Sequence, residues 1–240
     1  MKTRQHDFDP ANNSVEDLEP LIGRTNNIDC FEGYSYLEDS TIDFVFTSPP
    51  YNRKRNDKYS NYTDMTDWLE LLNKTVENSF RVLKDDGYLI LNIQKNFYNK
   101  KDYYKFMGDH YKEIVESIVW TKSNPMPASS HNITNSYEVF LVLNVKGKSI
   151  KAQHTYTKNS FETAVNSNNK FSDIHKAVMS LEAGTKIFTD FIGTNKTVVD
   201  PFAGVGTTQL LCKEFKDTYL GFELDPEYTK IANLRTEATK

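Results

Sequence analysis

Short apolar runs alternate with longer stretches in which apolar residues recur every three or four positions. Six runs predict strands: 42–47, 88–93, 114–121, 137–145, "TVVD" at 197–200 and "TYLGFEL" at 218–224. Between them, Leu69, Leu72, Val76, Phe80 and Leu83 fall at helical spacing behind Thr66, a suitable N-cap, and "KDDG" is expected to end that helix. Further helices are expected at 101–112, at 173–192, from Thr207 and from Pro226. The polar segment 1–25, with Pro10 and Pro20, predicts a loose arm carrying a short helix capped by Ser14. Segment 52–63 is a charged loop, and 146–170 has no clear period. Strands alternating with helices imply an α/β fold, a mostly parallel sheet covered on both faces.

Composition narrows this picture little. A 240-residue chain with 38% hydrophobic and 13% aromatic residues suits one sizeable domain over 1–240. A net charge of −4 predicts no polyanion partner in bulk, so local clusters must be read instead. Cys30 and Cys212 stand far apart, which fits a reducing compartment and small buried residues. The five histidines have no paired-ligand spacing, so no metal is expected. No apolar run is long enough to span a bilayer, and a cytoplasmic location without membrane contact is expected.

Two stretches carry chemistry. In "VVDPFAGVGTT" a strand runs into a glycine turn that opens a helix. Gly204 and Gly206 allow a tight turn and close ligand approach, and the helix start offers free amides beside Thr207 and Thr208. The spacing is not that of a dinucleotide fingerprint. Asp200 places a carboxylate at the turn, and Glu223 ends the next strand about 20 residues beyond it, where an acid binds ribose hydroxyls. Two carboxylates without a nearby cation suit a nucleoside lacking phosphates, such as S-adenosylmethionine. The candidate cofactor residues are Asp200, Phe202, Gly204, Gly206, Thr207, Thr208 and Glu223. An ordinary strand–turn–helix junction is the competing interpretation.

The second stretch, "FVFTSPPYN", stops an apolar strand at two prolines. Proline cannot extend a central strand, so Pro49 and Pro50 make a stiff turn at the carboxyl edge, where open α/β sheets bind ligands. Ser48 Oγ and the Pro49 carbonyl are expected to accept the two protons of a heterocyclic amine stacked on Tyr51. That favours a pyramidal, nucleophilic nitrogen able to attack a methyl sulfonium in line. A rigid surface turn is the plainer alternative.

"TSPPYN" with "DPFAGVGTT" resembles the amino-methyltransferases of DNA, which act on cytosine N4 or adenine N6. The catalytic motif precedes the cofactor motif, as in the family's circularly permuted, beta-type order. "NIDCFEGYSYLEDSTIDFVFTSPPYN", "RVLKDDGYLILNI" and "WTKSNPMP" are similar to family blocks, so the likeness covers most of 26–232. It implies a Rossmann-like methyltransferase fold with a seven-stranded, mostly parallel sheet and one antiparallel strand. It also implies S-adenosylmethionine as cofactor, with Asp29 at its adenine end. The family often has His-Pro where this chain has His175-Lys176, and no residue is carried over from there.

The resemblance implies DNA as partner and a flipped target base. Asn52, Arg53, Lys54, Arg55 and Lys58, with Tyr59 and Tyr62, interleave positive charge and aromatic rings directly after the catalytic turn. Lys146, Lys148, Lys151 and Lys158 lie where the family type often carries target recognition, so 146–172 is a short candidate recognition insert. A solvated loop is the alternative for each. The basic, aromatic stretch within 95–112 is expected to be an amphipathic helix packing its tyrosines. Ser48 favours cytosine N4, since adenine enzymes of the family more often carry Asp there; adenine N6 stays open. Competing functions are methylation of RNA or of a protein glutamine amide, and DNA binding without catalysis. A cognate restriction endonuclease is a possible partner, and the chain is expected to be a monomer or homodimer.

Overall fold

The computed structural model describes residues 21–50, 68–96, 98–125, 127, 133–165 and 178–238. In chain order its elements are β1 (Thr25–Asn27), α1 (Cys30–Ser35), β2 (Ile42–Thr47), α2 (Trp68–Val82), β3 (Leu83–Ile93) and α3 (Lys100–Asp109). There follow β4 (Ile114–Lys122), β5 (Tyr137–Leu143), β6 (Ser160–Thr163) and α4 (Leu181–Ile187), which continues as a π-helical turn over Phe188–Ile192. β7 (Thr197–Asp200), α5 (Thr207–Phe215), β8 (Thr218–Glu223) and α6 (Pro226–Ala238) close the fold.

The strands form one sheet in the order β1-β8-β7-β2-β3-β5-β4-β6. β5 alone runs against its neighbours; the remaining pairings are parallel. The six expected strands are present. Two short edge strands, β1 and β6, bring the count to eight rather than the seven implied by the resemblance. β1 is wholly polar and β6 has Phe161 as its one apolar residue; each pairs along the open edge of a neighbour, so no apolar run marks them.

Strand alternation divides the core into two layers. Val45, Leu89, Leu91, Ile93, Leu141 and Phe222 face α1, α2 and α3. Phe44, Phe46, Ile90, Phe140, Val142 and Val198 face α4 and α5, where Phe188 packs edge-on to Phe46 at 5.3 Å. The expected end of the first long helix is moved: α2 stops at Val82 and β3 starts at once. The β2–β3 register jumps from Ile42↔Leu83 to Phe44↔Tyr88, so "KDDG" is a bulge within a strand rather than a turn before one. The helix expected over 173–192 begins at Leu181 among the described residues, capped by Ser180. No helix among the described residues is long and apolar enough to cross a membrane.

Because the strands run parallel, their carboxyl ends share one edge. Along it stand Asp29 after β1, Glu223 on β8, Asp200 on β7, Ser48 after β2 and Asn92 near the end of β3. The reversed β5 adds its starting end to the same edge, opposite Ile93 and Thr121.

Candidate active site

The site is built on a pairing between distant parts of the chain. β2 and β7 lie side by side through Phe44↔Val198 and Val45↔Val199, which sets Ser48 next to the glycine turn. Ser48, Val178, Met179, Phe202, Gly204 and Thr208 line one cleft there.

Asp200 is the joint of this arrangement. It is only 3% exposed. Its Oδ1 accepts from Thr47 Oγ1 at 2.5 Å and from the Phe202 amide at 3.1 Å, and its Oδ2 accepts from Thr208 Oγ1 at 2.5 Å. The carboxylate thereby ties the ends of β2 and β7 to the first turn of α5. Burial outweighs these hydrogen bonds and pushes the carboxyl up to about 6. Asp200 was expected to face the ligand. It borders the cleft, but both oxygens are engaged inside the protein.

The glycine turn is shaped from both sides. Gly204 and Gly206 have positive φ, 53° and 81°. A Cβ on Gly206 would lie 2.7 Å from Ala232 Cβ, so this glycine is required by the packing of α6 as well as by the turn. Arg235 of α6 donates to the Val205 carbonyl and holds the turn from behind. On the other side, the Gly204 amide donates to Glu223 Oε2 at 2.8 Å, and Asp225 N donates to Glu223 Oε1 at 2.8 Å. Burial raises the Glu223 carboxyl despite these bonds. Thr207 opens α5 and its hydroxyl reaches the Met179 carbonyl at 3.5 Å.

Asp29 reaches the same edge. Asn27 pairs with Glu223, and the Ile28 amide donates to the Glu223 carbonyl. Asp29 caps α1, accepting from Phe31 N at 2.9 Å, and its side chain is exposed. Cys30 is buried beside both acids; burial and the Asp29 charge push its thiol up to about 12, so it is an inert packing residue. Cys212 is buried as well.

At the catalytic turn, Ser48 Oγ lies 3.4 Å from Asn92 Oδ1, to which it donates, and its oxygen also carries lone pairs that accept. Pro49 and Pro50 follow β2 as expected. Trp68, fully buried at the start of α2, donates Nε1–H to the Pro50 carbonyl at 2.7 Å. This bond was not visible in the sequence. It occupies one proline carbonyl and leaves that of Pro49 as the candidate acceptor. Trp68→Phe keeps an apolar ring and removes the donor. It should lower the melting temperature by a few degrees, because a fully buried indole is replaced by a smaller ring, leave cofactor affinity nearly unchanged, and lower the single-turnover rate about tenfold, the scale of one missing hydrogen bond with its alignment. A rate within about twofold of wild type in the folded variant would show that the bond does not position the turn.

Tyr51, Asn52, Arg53, Lys54, Arg55, Lys58 and His175-Lys176 lie outside the described residues. Lys158 is placed two residues before β6, whose Ser160 pairs with Val119 of β4. Lys146, Lys148 and Lys151 are placed as well, and the structure does not bring them to the catalytic edge. They follow the far end of β5. Lys146 stands 3.9 Å from Asp85 in the β3 bulge, the Tyr88 hydroxyl donates to the Ser149 carbonyl, and the Gln153 amide donates to Asp190 O before β7. All of these neighbours belong to the amino edge. The reversal of β5 carries the chain away from the site, which charge patterning alone does not reveal.

Compared with known proteins, the chain belongs to the DNA methylase family of N6 and N4 methyltransferases, which it matches over residues 42–234. It is 31% identical over 205 residues to the type II methyltransferase M.MwoI of Methanothermobacter wolfeii, covering 78% of this chain and 30% of that one. The chain thus spans under a third of that relative's length. It is 25% identical to the type II methyltransferase M2.DpnII of Streptococcus pneumoniae, covering 88% of both. Among solved structures it is similar to the PvuII DNA methyltransferase (cytosine-N4-specific), with TM-score 0.70, 17% identity, and coverage of 88% of this chain and 87% of that one. The M1.HpyAVI–SAM complex gives TM-score 0.64 at 22% identity, over 88% and 98% of the two chains. At these identities the likeness concerns the fold.

Proposed function

We propose that this chain methylates an exocyclic amine of a base in DNA, with S-adenosylmethionine as donor, cytosine N4 as the preferred target and adenine N6 as the alternative. The observation that carries the proposal is the shared cleft. Ser48, the first residue of the Ser48-Pro49-Pro50 turn after β2, and Phe202 to Val205, Thr207 and Thr208 after β7 line it together.

The residues fit the cofactor. Asp29 and Glu223 supply carboxylates at adjoining strand ends; among the described residues no Lys or Arg lines the cleft, and Arg235, behind the glycine turn, donates to the Val205 carbonyl. Glu223 would hold the ribose hydroxyls, Asp29 the adenine end, and Phe202 to Thr208 the wall of the site. When bound, S-adenosylmethionine supplies an electrophilic methyl group on sulfur.

The protein's own part is orientation. Ser48 Oγ and the Pro49 carbonyl accept the two N–H groups of the amine, which aims its lone pair at the methyl donor and supports the charge that develops on nitrogen. Tyr51 stacks on the ring. A base within a duplex cannot reach this cleft, so flipping is part of the proposal. Arg53, Lys54, Arg55 and Lys58 would hold phosphates next to the vacated position. A restriction endonuclease with the same target would be the natural partner, and the cytoplasm the setting.

The test is incubation with S-adenosylmethionine and plasmid DNA, followed by mass spectrometry of the nucleosides. N4-methylcytosine is the expected product. N6-methyladenine would replace the base assignment and keep the mechanism, and absence of either methylated nucleoside would overturn the proposal.

A further inference from the structure

A different basic stretch does face the catalytic edge. β3 leaves the sheet one residue after Asn92, the partner of Ser48. The turn that follows is anchored by asparagines. Asn99 Oδ1 accepts from Asn96 N at 2.7 Å, while Asn96 Oδ1 accepts from Tyr98 N at 2.8 Å and Asn99 N at 3.1 Å. The buried Asn99 Nδ2 donates to Gln94 O at 3.0 Å, and Gln94 Nε2 donates to Tyr137 O at 3.3 Å. The turn is therefore fixed to the starting end of β5, which lies on the same edge.

α3 leaves this turn with a defined rotation. Tyr103 and Phe106 point into the core. Tyr98 and Tyr104 remain 47% and 60% exposed and Tyr111, just past the far end of the helix, 67%, so the expectation that this stretch packs its tyrosines holds for Tyr103 and not for these three. Lys100 and Lys101 are exposed on the first turn, and Lys95 Nζ sits 5.7 Å from the centre of the Tyr104 ring. Between Lys95 and Tyr104 the sequence holds one acid, Asp102. The result is a positively charged, aromatic ledge on a rigid base beside Ser48.

We propose that Lys95, Tyr98, Lys100, Lys101 and Tyr104 form a contact surface for the phosphodiester backbone of duplex DNA next to the flipped base. The inference rests on the DNA-methyltransferase proposal and adds a surface to it. Three ammonium groups neutralise phosphates and release counterions, while the two rings present flat faces and hydroxyls to the sugar–phosphate chain. A solvated helix face would need neither the buried asparagine clamp nor two large rings held outward beside the lysines.

The test is fluorescence anisotropy with a labelled duplex between about 50 and about 200 mM salt, beside cofactor calorimetry and thermal unfolding. The triple variant Lys95→Ala, Lys100→Ala, Lys101→Ala should weaken binding at least about tenfold and reduce the slope of log affinity against log salt by about 2 to 3, near 0.9 for each phosphate no longer neutralised. Tyr98→Ala with Tyr104→Ala should weaken binding at every salt concentration without changing the slope. The triple variant Lys146→Ala, Lys148→Ala, Lys151→Ala removes equal charge from the amino edge and should cost less than the carboxyl-edge variant. Wild-type affinity and slope in the folded Lys95, Lys100, Lys101 variant, or a larger loss from the amino-edge variant, would overturn this surface alone. A wild-type protein without salt-dependent DNA affinity would overturn the DNA reading, and this surface with it.

Discussion

Tyr51→Ala should abolish most methyl transfer while leaving folding and cofactor binding intact. Stacking of a base on an aromatic ring is worth about 1–3 kcal/mol, and a misplaced amine loses more through alignment. The preceding residue is well held, since the Pro50 carbonyl accepts from the buried Trp68 indole. Tyr51→Phe should keep much of the activity, because the proposed contact is the ring face. Ser48→Ala should lower the rate more than DNA affinity, since its acceptor acts on charge that develops during transfer. Single-turnover methylation, measured beside binding of DNA and cofactor, separates these effects. Wild-type turnover in Tyr51→Ala would reduce the two prolines to a strand terminator.

The second large effect is expected at Asp200. Asp200→Ala leaves the Thr47 and Thr208 hydroxyls and the Phe202 amide without their common acceptor. The loss should be about 2–4 kcal/mol at pH 5 and smaller at pH 8. The difference follows from the acid itself. Burial raises the carboxyl from 3.8 to about 6, so the folded protein holds the proton more tightly than the unfolded chain. The resulting stability is complete below a pH of about 4 and is lost as pH rises through about 6, with an amplitude of about 3 kcal/mol. Asp217, also raised to about 6 by burial, and Glu223, raised by burial, act in the same direction. Asp200→Asn should therefore flatten part of the decline, not all of it. Urea midpoints at pH 5 and pH 8 provide the check, and an undiminished decline in Asp200→Asn would place the titrating group elsewhere.

The central strands were legible because they are buried on both faces and read as nearly continuous apolar runs, as in Phe44–Phe46 of β2 and Tyr88–Leu91 of β3. β1 and β6 were not, because they are runs of three or four residues with Phe161 the one apolar side chain among them, ordered by pairing with a neighbour's edge. "KDDG" carried a true turn signal, but whether a turn ends a strand or bulges within it depends on pairing with β2. The site shows the same division. Residue types and order pointed to the two turns, and the strand pairing puts Asp29, Glu223, Asp200 and Ser48 along one edge. Which way each side chain is engaged was hidden. Asp200 is bound inward by two threonines, and Trp68 reaches back to Pro50, 18 positions earlier. The lysines of 146–151 were correctly seen as a charge cluster, yet their edge depends on the direction of one strand.

The Thr47–Asp200 bond joins residues 153 positions apart, and the β2–β7 pairing beside it spans a similar distance. During synthesis the first turn leaves the ribosome long before its partner exists. Closing so long a loop costs entropy that only the completed sheet offsets, so the joining of the two halves belongs late in folding. The two turns meet only once β7 has taken its place between β2 and β8. On the proposed function, the permuted order of the motifs makes methyl transfer wait until the later half of the domain has joined the earlier one.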